Sequence, residues 1–222
     1  MIIKKRDIKL FNILKSNIAV MYKQLIGDVY KNYSSLINRV KVLEKNYYII
    51  TRKINGNKYI QLNKNGIEVL GLDYQNYSSY KNLYSRKYKK NRLIDFFIIY
   101  EFKKKHNKEV YVNNISKVDL DLGLNINDKY LHSFKLGFKD HLILEKNEEI
   151  KVAIVDNLNI LTNKEKIRNK FDKIYYYFNN IPIVLILFNE EFSEERKKVY
   201  EEVLFKMKND INLSFVEVNI KI

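Results

Sequence analysis

The chain has 222 residues, 46% apolar and 14% aromatic, with 41 Lys/Arg against 26 Asp/Glu, a formal charge of +15 at pH 7. That composition excludes an intrinsically disordered chain, and the absence of Cys excludes disulfides, thiolate metal sites and Cys nucleophiles. The charge is uneven: residues 1–90 hold 19 Lys/Arg and 5 Asp/Glu (net +14), while residues 91–222 hold 22 and 21 (net +1). A basic front on a near-neutral back points to a polyanionic partner at one end, nucleic acid before membrane surface.

In chain order, Ile8, Phe11, Leu14 and Ile18 recur at helical spacing and predict a first helix. A second short helix is expected on Met21, Leu25, Ile26 and Val29. Asn32 is a plausible N-cap for a third, carrying Tyr33, Leu36, Ile37, Val40 and Leu43. Its opposite face holds Ser34, Ser35, Asn38, Arg39, Lys41 and Lys45. Tyr47–Ile54 and Lys58–Leu62, joined at Asn55-Gly56-Asn57, predict a hairpin, and Lys64–Leu70 a further helix ending at Gly71. Three helices, a hairpin and a helix in this order predict a winged helix-turn-helix domain over residues 1–72.

Residues 73–91 are expected to form a Tyr-rich, basic connecting helix, because Tyr74, Tyr77, Tyr80, Tyr84 and Tyr88 would share one face. Those rings are expected to pack on the first domain, with a dimer contact as the alternative and base stacking a remote third. Arg86, Lys87, Lys89 and Lys90 extend the basic surface.

Residues 92–222 are expected to form a separate α/β domain. It would contain a helix over 92–106 with Leu93, Phe96, Phe97 and Tyr100 inward, and a strand over 109–112. An antiparallel pair over 138–145 and 150–156, a helix over 164–178, an apolar strand over 181–188, a helix capped by Ser193 and a closing strand over 213–220 complete it. That order implies a mixed sheet with helices on its faces.

Several of these segments resemble the replication-relaxation family of plasmid and conjugative-element proteins. Lys5-Arg6-Asp7-Ile8 with Ile13-Leu14 resembles the family's "RD…IL" start, and Leu36–Leu43 followed by Tyr47-Tyr48 resembles the end of its recognition helix. Tyr59–Leu62 with Asn63–Leu70 resembles its "YYLT..G...L" after the wing. Lys151–Asp156, Lys164–Phe178 and Ile181–Phe188 resemble its closing strand-helix-strand pattern. The His usually found near the start of its second domain is Asn91 or Arg92 here. The resemblance implies roles in plasmid replication, relaxation or mobilisation, and a back half like a restriction-endonuclease fold.

For duplex DNA, the expected base-reading set is Tyr33, Ser34, Ser35, Asn38 and Arg39, with Asn38 suited to adenine and Arg39 to guanine. Lys41 and Lys45 on the helix, and Arg52, Lys53, Asn55, Asn57 and Lys58 on the wing, are the expected backbone contacts. The bland alternative for each is a solvated surface residue. A Mg²⁺ nuclease would need an acid at one strand start and Asp/Glu-x-Lys on the next. Asp140 suits the first position, but Asp156 is followed two residues on by Leu158, although Lys164, Lys166 or Lys170 could substitute. His132 and His141 lie near Asp140 without zinc-ligand spacing, and Glu190, Glu191, Glu194 and Glu195 suit an ordinary helix start. No phosphate-cradling Gly motif occurs.

The expectation is therefore a cytoplasmic, non-enzymatic, sequence-specific double-stranded DNA-binding protein without metal or cofactor. It would be a homodimer that meets a plasmid replication or transfer protein and no membrane. No signal-peptide apolar region is read at its start. A ligand-sensing transcriptional regulator and a winged-helix-targeted nuclease are the alternatives.

Overall fold

The computed structural model describes residues 2–72, 81–105, 141–146, 149–155, 164–177, 183–188, 193–205 and 213–218. The chain divides into two compact units, residues 1–101 and 102–221. The first is built from α1 (Lys5–Asn17), β1 (Ala19–Met21), a 3-10 turn (Tyr22–Leu25), α2 (Tyr33–Lys45), β2 (Ile49–Ile54), β3 (Asn57–Leu62) and α3 (Lys64–Val69). A π-helical turn at Lys81–Ser85 and helix α4 (Lys90–Lys105) follow, α4 running across the boundary between the units.

The three strands form an antiparallel sheet in the order β1-β3-β2. The β2–β3 turn puts Asn55 and Gly56 at φ 47° and 79°, the double left-handed geometry of a tight hairpin that asparagine and glycine tolerate. Cross-strand register sorts the side chains into two faces. Val20, Ile49, Thr51, Lys53, Lys58, Ile60 and Leu62 share the inner face; Ala19, Met21, Ile50, Arg52, Asn57, Tyr59 and Gln61 share the outer one.

Against the inner face lies the core of α1 and α2. Leu10, Phe11 and Leu14 of α1 and Leu36, Val40 and Leu43 of α2 are buried, and the Phe11 ring stacks on Tyr48 at 5.8 Å. Ile8 faces partly outward instead, because α1 turns Asp7, Leu10, Phe11, Leu14 and Asn17 inward. α3 packs so closely on the preceding loop that a Cβ at Gly66 would stand 2.2 Å from the Tyr48 carbonyl oxygen. Only glycine fits that approach.

The helix expected around residues 21–29 is not formed. Ile18 takes φ 64° directly after α1 and reverses the chain, so Ala19–Met21 pair with Tyr59–Gln61 as a strand. Gln24 Oε1 accepts the Met21 N–H at 2.9 Å and closes a 3-10 turn. Burial of Val20 and Met21 against β3 outweighs the marginal stability of one helical turn.

The boundary expected near residue 72 also moves. Phe97 of α4 packs on Tyr59 of the outer face with ring centroids 5.8 Å apart, and Gln24 Nε2 donates to the Phe97 carbonyl at 2.9 Å and to Glu101 Oε1 at 3.0 Å. The Tyr100 hydroxyl donates to Asp28 Oδ2 at 2.8 Å. The helix beginning near Arg92 thus covers the open side of the small sheet as far as Glu101 rather than opening a separate domain. Of the expected connecting helix, residues 73–80 lie outside the described residues and 86–89 are not helical. Tyr84 and Tyr88 are buried on the first unit, as packing rings should be.

The second unit holds β4 (His141–Lys146), β5 (Glu149–Val155), α5 (Lys164–Tyr177), β6 (Ile183–Phe188), α6 (Ser193–Phe205) and β7 (Leu213–Val218). Its sheet runs β4-β5-β6-β7, with β4 antiparallel to β5 and the other pairs parallel. In this strand order two successive crossovers of the same hand would set both helices on one side of the sheet. Phe171 of α5 accordingly meets Tyr200 of α6 edge-on at 5.6 Å, and Tyr200 touches Phe215 of β7 at 6.3 Å. The chain is mixed α/β, as expected. Asp140, Asp156, His132, Glu190, Glu191 and the strand expected over 109–112 lie outside the described residues.

Candidate nucleic-acid interface

The first unit concentrates the charge: residues 1–101 carry 20 Lys/Arg and 7 Asp/Glu. Its acids are largely occupied. Asp7 and Asp95 are buried, and Asp28 pairs with Lys9 at 2.6 Å and accepts from Tyr100. Glu44 accepts the Thr51 N–H at 2.8 Å, tying α2 to β2. Lysines left at the surface therefore set the outward field.

α2 starts where Asn32 caps it: Asn32 Oδ1 accepts the Ser35 N–H at 2.9 Å. Ser35 Oγ donates back to the Asn32 carbonyl at 2.9 Å. Ser35 thus works inside the cap instead of facing a base. With Leu36, Val40 and Leu43 buried, Ser34, Asn38, Lys41 and Lys45 form one exposed stripe at intervals of four, three and four. Tyr33 borders it, 48% exposed, and Val42 lies beside it.

Arg39 departs most from expectation. Its Nε donates to Asp7 Oδ1 at 2.9 Å, Nη2 donates to the Ile2 carbonyl at 2.9 Å, and Nη2 also bonds Asp7 Oδ2. The Arg39 side chain is 10% exposed and that of Asp7 fully buried, while Asp7 also accepts the Lys4 N–H at 2.7 Å. The hydrogen bonds to Asp7 push the Arg39 guanidinium further above its ordinary range. Arg39 fastens α2 to the start of α1, and its expected role as a guanine reader is withdrawn. A buried pair of this kind forbids a free guanidinium because breaking it strands a carboxylate without water.

On the hairpin, Lys53 is exposed and faces its register partner Lys58 on the inner side. The Lys58 ammonium stands 5.8 Å from the centre of the Tyr22 ring. Tyr22 joins three elements: its hydroxyl shares a 3.1 Å hydrogen bond with Thr51 Oγ1, and its ring lies 6.3 Å from that of Tyr33 at the head of α2. Burial pushes its phenol above the ordinary range, so it stays a neutral hydrogen-bonding group. Nothing in the local sequence marks Tyr22, whose partners are 11, 29 and 36 residues away.

Arg52 points the other way. Its Nη2 donates to the Ser85 carbonyl at 2.6 Å on the outer face, which removes it from the expected phosphate contacts. Asn55 is exposed at the turn, and Asn57 Nδ2 donates to its carbonyl at 3.4 Å. Of the expected contact residues, those left exposed or on the inner side of the hairpin are Tyr33, Ser34, Asn38, Lys41 and Lys45 on α2, with Lys53, Asn55 and Lys58 on the hairpin.

Among the described residues no group of three or more His, Cys, Asp or Glu side chains is gathered for a metal ion, and no helix is long and apolar enough to cross a membrane. In α5, Lys164 pairs with Glu202 of α6. Compared with family models, with curated proteins and with solved structures, the chain matches none.

Proposed function

We propose that the first unit is a winged-helix module and that the protein is a non-enzymatic, sequence-specific binder of double-stranded DNA. One observation carries the reading: the exposed stripe Ser34-Asn38-Lys41-Lys45 of a capped helix stands beside a basic hairpin whose Lys53 and Lys58 share that side of the sheet. A helix enters the major groove with short polar side chains at base edges, while lysines beside it neutralise phosphates. Asn38, exposed mid-stripe, supplies the bidentate amide that suits adenine. The element order supports this reading, with the second helix of a winged helix reduced to the 3-10 turn at Tyr22–Leu25.

The resemblance to replication-relaxation proteins sets the proposed context: replication, relaxation or mobilisation of a plasmid or related element, or their regulation. In this reading the second unit, with its parallel β5-β6-β7 core, serves dimerisation or recruits a replication or transfer protein. The deciding experiment is footprinting of the purified protein on DNA flanking its own coding region, with affinity followed against salt. Protection of a discrete segment is expected, with a steep fall in affinity as salt rises. Lys41→Ala or Lys45→Ala is expected to shallow the logarithmic salt slope by about 0.9 each. A wild-type affinity indifferent to salt would overturn the proposal.

A further inference from the structure

Residues 81–89 form a strap across the outer face of the hairpin. Gln61 Nε2 donates to the carbonyls of Tyr84 at 3.0 Å and Arg86 at 3.1 Å, Ser85 Oγ donates to the Leu62 carbonyl at 3.0 Å, and Arg52 holds the Ser85 carbonyl. Tyr84 and Tyr88 are buried on either side of these bonds. Tyr88 meets Phe96 edge-on at 5.0 Å, and the Arg86 guanidinium lies 4.3 Å from the centre of the Tyr88 ring.

Between and just beyond these anchors Lys87, Lys89 and Lys90 are exposed. No acidic residue occurs between Asp73 and Asp95, a stretch holding Lys81, Arg86, Lys87, Lys89, Lys90 and Arg92. A connector that only joins two elements has no need of four side-chain-to-backbone bonds, which cost conformational entropy to form. Fixing like charges close together adds repulsion that solvent only partly screens. Both costs are offset when a polyanion lies against the strap.

Resting on the winged-helix reading above, we propose that Lys87, Lys89 and Lys90 are a second row of phosphate contacts for duplex DNA. The row lies on the hairpin face opposite Lys53 and Lys58. A two-stranded ribbon laid along a groove turns one face to each flanking sugar-phosphate backbone. Lys53 and Lys58 serve one backbone, and the strap serves the other. Because Arg52 and Gln61 fasten the strap to β2 and β3 themselves, the two rows keep a fixed spacing.

The test uses the full chain and a short duplex of arbitrary sequence, since phosphate contacts do not depend on base identity. Lys87→Gln, Lys89→Gln and Lys90→Gln together are expected to shallow the logarithmic salt slope by about 0.9 for each phosphate no longer neutralised. The same triple variant is expected to keep or raise its melting temperature at low salt, because the neutralised strap no longer repels itself. Arginine at all three positions should restore the slope. If the wild type binds the duplex and the glutamine variant keeps its slope, the second row is wrong while the DNA reading stands. If the wild type shows no salt-dependent binding, both are wrong. Unchanged DNA binding with lost binding to vesicles of anionic phospholipid would assign the strap to a membrane surface and overturn the proposal.

Discussion

The flank of α2 turned toward α1 and the flank turned toward solvent both carry cations, and the two kinds are chemically distinct. Arg39 is enclosed, shares two hydrogen bonds with the buried Asp7 carboxylate and holds the Ile2 carbonyl. Lys41, two residues on, and Lys45 are exposed on the opposite side. The delocalised, planar guanidinium suits the enclosed position, where a fork can satisfy a carboxylate; the compact ammonium suits solvent and phosphate. A count of positive charge on a helix therefore overstates its capacity to bind a polyanion. The inner residue sets the angle at which the outer ones are presented.

Removing one partner of the enclosed pair is the severest way to break this contrast. Asp7→Ala leaves the Arg39 guanidinium without its carboxylate in a site where it is 10% exposed. The expected loss is about 3–5 kcal/mol, read as a lowered urea midpoint at unchanged slope. Replacing both residues by apolar side chains, Asp7→Leu with Arg39→Met, should recover most of that stability, because no charge is then stranded. A loss no larger than that of a surface lysine would show that the flank toward α1 is not locked.

On the solvent flank the contrast is sharpened by Asn38→Ala, which should leave stability within about 0.5 kcal/mol of wild type. In the DNA reading it should cost about 1–3 kcal/mol of discrimination at a single base pair and leave other positions alone. Binding measured across a panel of single-base variants of the footprinted site separates the two effects. A uniform loss over the whole panel would place Asn38 at a phosphate.

How much of this was legible in the sequence follows from the range of each interaction. α2 could be read from Asn32 and the spacing of Leu36, Val40 and Leu43, because a cap and a stripe are local. The hairpin could be read from Asn55-Gly56 for the same reason. β1 could not: three residues are too few for an alternation to declare itself, and Met21 with Leu25 imitates a helical interval. The role of Arg39 was hidden because Asp7 is 32 residues away, so an arginine on a polar face looks alike whether paired or free. Tyrosines spaced by three and four also misled, since Tyr84 lies in the π-helical turn Lys81–Ser85 and Tyr88 in non-helical chain beyond it, both buried from a strap fixed by Gln61, Ser85 and Arg52. In the second unit the apolar run Ile181–Phe188 announced a strand covered on both faces, and in the structure Ile183–Phe188 lies between β5 and β7. Asp140 and Asp156 lie outside the described residues, so the expectation about nuclease chemistry rests on sequence alone.

The mildest change concerns Tyr30, which lies within the electrostatic reach of Asp7, Arg6 and Arg39 on the enclosed flank. Its hydroxyl is buried with no hydrogen-bond partner among the described residues, and the Arg6 guanidinium lies 5.6 Å from the ring centre. Burial first, and the Asp7 carboxylate second, push its phenol from the ordinary 10 up to about 12. The sign of the pH effect follows from that direction. A group whose pKa is higher folded than unfolded contributes its full stability below the unfolded value and loses it as pH rises through the folded one. Wild-type stability should therefore begin to fall above pH 10 and continue falling toward about pH 12. Tyr30→Phe deletes a hydroxyl that has desolvation cost and no bond, so at neutral pH stability should hold or rise by about 1 kcal/mol. The same variant should flatten the alkaline limb of the stability curve. A loss of stability at neutral pH would show that the hydroxyl has a partner, and would bring Tyr30 into the network that Arg39 and Asp7 share.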